Sequence, residues 1–124
     1  MKAFKIKNGL QAGRYLGSNG TETTGSVGYD LAGASYDSVS FGVASQETAP
    51  YGLTFNNDGT KMYIIGQGTD QIYQYSLSTA FDLSTTSYDS VSFNVTSQNS
   101  GAAGVAFNSD GTKMYMVGYS TPSS

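Results

Sequence analysis

Apolar and polar residues alternate along most of this chain in short runs, and a cluster of turn-forming residues closes each run. Tyr36, Val39, Phe41 and Val43 mark one run, and Leu53 and Phe55 share a face within residues 52–55. Residues 61–65 read KMYII, and in IYQYSL, residues 72–77, Ile72, Gln74 and Ser76 alternate with Tyr73, Tyr75 and Leu77. Side chains that alternate with a period of two predict β-strands, because successive residues of a strand point to opposite faces. In the connection NNDGT, Asp58 and Gly59 supply the positive φ that a tight hairpin requires, and NSDGT repeats the device at Asp110 and Gly111. The cluster GQGTD, residues 66–70, predicts a second turn.

The pattern is written twice. FNNDGTKMYIIG begins at Phe55 and FNSDGTKMYMVG at Phe107, an offset of 107 minus 55, or 52 residues. At the same offset SYDSVSF recurs at Ser35 and Ser87, and YDLAGA at Tyr29 faces FDLSTT at Phe81. A period near 50 residues with four short strands in each copy is the pattern of β-propeller blades. The expected fold class is therefore all-β, with β-propeller-like repeats of four antiparallel strands at period 52, incomplete in this chain, and an extended N-terminal segment. Residues 35–43 are expected to be an outermost strand awaiting partners. Residues 52–55, 61–65, 72–77 and 87–95 would form one full blade, and 104–107 with 113–117 would begin another. Phe55 and Phe107, Tyr63 and Tyr115, and Phe41 and Phe93 should occupy equivalent buried positions. Because a ring closes only with about four or more blades, the expectation is either a longer chain or a ring shared by a homo-oligomer, with a trimer as the working guess.

Composition narrows the chemistry. Ten Tyr and six Phe suit half-buried pleated surfaces, and sixteen Gly supply turns. The chain has no Cys and no His, which removes disulfides, thiolate and common zinc sites, and every Ser-His or Cys-His nucleophile. No apolar run is long enough for a signal peptide or a membrane-spanning helix, so neither export nor membrane insertion is expected. The net charge of -3 is uneven: Lys2, Lys5, Lys7 and Arg14 precede the first acid, Glu22. A basic end on an acidic body fits protein anchoring better than nucleic-acid binding.

The repeated blade, F-N-x-D-G-T-K-M-Y and then IYQYSLSTAFDLSTTSYDSVSF, resembles the YVTN-type β-propeller repeat, in the version found in structural proteins of marine bacteriophages and in bacterial surface proteins. The first segment, with IKNGL and RYL followed by a polar stretch, is similar to the N-terminal virion-attachment segments of tailed-phage fibre proteins. The resemblance implies a virion structural protein, a tail-fibre-like appendage attached through its N-terminus to other virion proteins, with a propeller part for host-surface recognition. A head-mounted fibre or capsid decoration protein, and an oligomeric sugar-binding propeller lectin, are the alternatives. Residues 1–28 would be the attachment segment and linker, and 29–124 the partial propeller. Phe4 and Ile6 alternate with Lys5 and Lys7 as in a short strand that could pair with a virion partner; Leu10, Arg14, Tyr15 and Leu16 complete the expected anchor.

No catalytic residues, cofactor or metal site are expected. Asp30 and Asp82, Asp37 and Asp89, and Asp58 and Asp110 recur at fixed phase, as turns and strand ends would, whereas a catalytic pair would break the repeat. The loop SQETAPY, which becomes SQNSGAA one period later, keeps its frame and varies its contacts. It offers Gln46, Glu47 and Tyr51 as contacts for a host-surface glycan.

Overall fold

The computed structural model of the protein describes residues 2–8, 14–16, 22–24 and 29–120, with side chains at 2–4 and 29–120. The described strands, in chain order, are β1 (Lys2–Asn8), β2 (Arg14–Leu16), β3 (Glu22–Thr24), β4 (Ala34–Gly42), β5 (Pro50–Phe55), β6 (Lys61–Gly66), β7 (Gln71–Leu77), β8 (Thr86–Asn94), β9 (Ala102–Phe107) and β10 (Met114–Gly118). Single 3-10 turns at Leu31–Gly33 and Leu83–Thr85 lead into β4 and β8. Among the described residues no helix is long and apolar enough to cross a membrane.

Strands β5 to β8 form an antiparallel meander in the order β5-β6-β7-β8. Strands β9 and β10 form an antiparallel hairpin at the phase of β5 and β6. The four strands expected within residues 52–95 are thus realised as a sheet over residues 50–94; the described strands close no ring or barrel. The 52-residue period extends to irregularities. Tyr51 is the extra residue where the pairing shifts between Pro50 and Gly52, and Ala103 is its counterpart between Ala102 and Gly104. Tyr29 and Phe81, and Ser38 and Ser90, are non-glycine residues at positive φ one period apart.

The chain forms two compact units, one of Phe4–Val39 and one of Ser40–Ser124 with Met1–Ala3. In the larger unit β9 lies against β5 and β6. Gly52 permits that approach: a Cβ there would stand 2.9 Å from the Ala103 carbonyl oxygen and 3.1 Å from the Gly104 Cα. Ile65, Ile72, Val95 and Ala102 form the buried cluster at this junction, with Tyr63, Val105 and Met116 packed around it. Met62, Ile64, Tyr75 and Leu77 bury the two central strands of the meander, as the alternation in KMYII and IYQYSL requires.

Several expectations are corrected. Residues 35–43 do not await a partner, because β4 pairs with β1 in a two-stranded sheet. Phe4, Lys5, Ile6 and Lys7 do lie in a strand, β1, and Phe4 sets its ring edge-on to Tyr36 with centroids 6.1 Å apart. Arg14, Tyr15 and Leu16 form β2, which pairs with Glu22–Thr24, a segment expected to be linker. Pairing there satisfies backbone N–H and C=O groups, and two Thr favour it. Leu10 lies outside the described residues. Of the three aromatic pairs, Phe55 and Phe107 are alike half-buried. Tyr63 is half-buried while Tyr115 is 59% exposed, and Phe41 is half-buried against Tyr75 while Phe93 is 57% exposed. The reason for the tyrosines is packing, since β9 covers the β5–β6 pair whereas no described strand lies beyond β10; Phe41 has the ring of Tyr75 against it.

The NNDGT and NSDGT turns match atom for atom. Gly59 N–H donates to the Asn56 carbonyl at 3.2 Å and Gly111 to Asn108 at 3.1 Å, both glycines at φ +74°. Asp58 Oδ1 accepts from the N–H and hydroxyl of Thr60, and Asp110 Oδ1 likewise from Thr112. These residues therefore form the hairpin turns that the sequence predicted. The surroundings differ, since a Cβ on Gly59 would meet the Phe81 ring at 2.3 Å and one on Gly111 would meet nothing within 4 Å. Gly111→Ala should cost about 1 kcal/mol through the left-handed backbone alone. Gly59→Ala should cost visibly more, and equal losses in urea unfolding of the two variants would show that the Phe81 ring yields freely.

Candidate functional site

The loop before β5 does not gather its three expected contacts on one surface. Glu47, proposed as a ligand contact, is 0% exposed, so its carboxylate faces the interior and is closed to an outside ligand. Its Oε1 accepts from the N–H groups of Ala49 and Gly68, each at 2.8 Å. Its Oε2 accepts from the Thr69 hydroxyl at 2.8 Å and the Thr69 N–H at 3.3 Å. The carboxylate thereby fastens the loop before β5 to the β6–β7 turn, and these donors replace the water lost on burial. Gln46 is half-buried and accepts from the Tyr75 hydroxyl at 3.3 Å. Burial, then the neighbouring Tyr88, Tyr73 and Glu47, pushes that phenol's pKa upward, keeping it a neutral donor. Tyr51 remains exposed on its bulge.

One period on, Asn99 takes over the Glu47 position with a neutral version of the same clip. It accepts from Gly101 N–H at 2.7 Å and donates to the Ser120 carbonyl. The exchange of Glu47 for Asn99, which reads in the sequence as a variable contact, is a change of internal fastener.

The opposite end of the meander holds a cleft of about 340 Å³ between the two hairpin turns. Tyr63 and Phe107 supply its aromatic surface, with ring centroids 4.5 Å apart, and Phe55 lines it alongside. Asp58 and Asp110 line it from the two turns, and the Asn57 side-chain amide donates to the Ser109 carbonyl, tying one turn to the other. Comparison with protein-family models, curated proteins and solved structures finds no match. The chemistry of the cleft therefore rests on its own atoms. The Thr60 hydroxyl, then the Thr60 N–H, hold the Asp58 carboxyl below the usual carboxylate range, and Thr112 does the same for Asp110. Both turns thus present carboxylates that stay ionised.

In the sequence Asp58, Gly59, Asp110 and Gly111 read only as turn residues. The recurrence of Phe55 and Phe107 ahead of each turn is plain in the sequence and reads there as a pair of buried equivalents; that the two repeats lie side by side and gather these residues with Tyr63 into one cleft is set by packing.

A second polar group spans the meander. Lys61 Nζ lies 2.9 Å from Asp89 Oδ2, which also accepts from Gln74 Nε2 at 2.8 Å. Burial pulls the Asp89 carboxyl up, but hydrogen bonds from Lys61, Ser76 and Gln74 and the Lys61 charge outweigh it and hold the carboxyl below its usual range. These partners sit on β6, β7 and β8, so the group staples three strands together. No group of three or more metal-ligating side chains occurs among the described residues.

Proposed function

We propose that this chain is a structural, non-enzymatic module of a particle appendage of the tail-fibre kind, attached through its basic N-terminal segment and carrying propeller-type blades outward for host-surface recognition. The observation that carries the reading is the strictness of the repeat: one turn, one bulge and one internal fastener recur 52 residues apart. The packing of β9 against β5 and β6, through the close approach at Gly52, supports the stacking of repeats that this reading requires. The resemblance of the repeat to the YVTN-type blade, and of the IKNGL and RYL segment to fibre attachment segments, supports the same role. The N-terminal Lys5, Lys7 and Arg14 would steer the segment to an acidic partner surface, and Phe4, Ile6, Leu10, Tyr15 and Leu16 would supply the apolar hold. In this reading other virion proteins and further copies of the chain are its partners, and its place is the virion.

The test is to delete residues 1–28 and follow incorporation into particles by immunogold electron microscopy. Label on appendages that disappears with the deletion is the expected result. Undiminished incorporation of the deleted form would refute the anchor.

A further inference from the structure

We propose that the cleft between the two hairpin turns is a binding site for a neutral hexose residue of a glycan, with the sugar ring stacked on Tyr63 and Phe107 and its hydroxyls donating to Asp58 and Asp110. This names a ligand class for the recognition role proposed above and rests on that role for its purpose. It moves the site to the end of the meander opposite Gln46 and Tyr51.

The volume of about 340 Å³ falls at the small end of ligand pockets, which run from about 300 to 1,000 Å³. Its lining joins aromatic faces to short polar groups, the combination that suits a pyranose, whose C–H faces are apolar and whose edges are hydroxyls. In each turn the threonine donates twice to Oδ1 of the aspartate, and the exposed carboxylate, with about four acceptor sites, keeps lone pairs for a ligand. The Tyr63 hydroxyl has no hydrogen-bond partner among the described residues. Donors as well as acceptors therefore line the cleft, and hydroxyls, which do both, match them better than a cation would. Two ionised carboxylates on a body of net charge -3, with no Lys or Arg in the lining, disfavour sialylated or phosphorylated sugars. The lowered pKa of both aspartates keeps the acceptors available through mildly acidic conditions.

The experiment is a heteronuclear NMR titration of the full chain with methyl glycosides of glucose, galactose, mannose and N-acetylglucosamine. N-acetylneuraminic acid and an acetylated arginine amide serve as anionic and cationic probes. At least one neutral sugar should give saturable shifts confined to residues 54–58, 63 and 106–111, with a dissociation constant on the order of millimolar. The double variant Asp58→Asn with Asp110→Asn keeps an oxygen for each threonine and should bind about tenfold more weakly or worse. Phe107→Leu keeps the apolar packing, removes the ring, and should weaken binding similarly. Shifts centred on residues 45–51, absence of saturation with every neutral sugar, preference for either charged probe, or affinity unchanged in both variants would each overturn the site. A titration without shifts would leave particle attachment standing, and loss of the anchor assignment would leave the titration result standing.

Discussion

Replacing Glu47 by alanine should lower the unfolding free energy by roughly 3 kcal/mol or more, the largest single effect expected of any polar side chain in the larger unit. The carboxylate is fully buried and receives three backbone N–H groups and one hydroxyl from Ala49, Gly68 and Thr69. Alanine would leave those donors without an acceptor in a space too tight for easy collapse, since a Cβ on Gly66 would already stand 2.6 Å from Glu47 Cγ. Glu47→Gln keeps Oε1 but turns an amide NH2 toward the Thr69 N–H, so an intermediate loss of about 1 to 2 kcal/mol is expected. Asn99→Ala removes a half-buried, neutral fastener and should cost less than Glu47→Ala. Urea unfolding of the three variants orders them. Equal losses for Glu47→Ala and Asn99→Ala would show that the charge and full burial of Glu47 add nothing.

Ile65→Ala should cost about 2 to 5 kcal/mol, while Val117→Ala, at the same position of the next repeat, should stay within about 0.5 kcal/mol of the parent. Ile65 is 0% exposed, pairs across the ladder with Ile72, and packs with Val95 and Ala102 where β9 meets the meander. Its neighbours are hydrogen-bonded strands, which relax little into a cavity, so the lost contacts are not recovered. Val117 stands 65% exposed on β10. The pair separates sequence position from burial, because the two β-branched side chains differ by only one methylene and occupy one phase of one repeat. A loss at Val117 matching that at Ile65 would mean that the β10 face is covered in solution, and would contradict the exposure described for the chain.

The N-terminal segment shows where reading from sequence fell short. The alternation of Phe4 and Ile6 with Lys5 and Lys7 foretold strand β1, but its partner β4 lies more than two dozen residues on in the chain. Local alternation carries no information about which distant edge a strand will meet. Glu22–Thr24 failed for a related reason: Gly and Ser on either side read as linker, yet three residues suffice for a hairpin once β2 offers an edge. The 3-10 turns at Leu31–Gly33 and Leu83–Thr85 were missed because three residues are too few to display a period. Their capping carboxylates, Asp30 and Asp82, had already been read as turn residues.

The sequence by itself determined what depends on neighbours along the chain. The alternation in KMYII and IYQYSL set the strands, Asp-Gly set the two turns because only glycine takes φ +74° there without strain, and the 52-residue recurrence set their repetition. Tertiary structure alone decided which of two chemically equivalent residues is buried. Ile65 and Val117, Tyr63 and Tyr115, and Phe41 and Phe93 differ in exposure because burial depends on what packs from outside the repeat. It likewise turned Glu47 inward, where three N–H groups from two separate loops converge, and it brought Tyr63 and Asp58 of one repeat beside Phe107 and Asp110 of the next. Such convergence joins residues some fifty positions apart, and only packing of one strand pair against another can specify it.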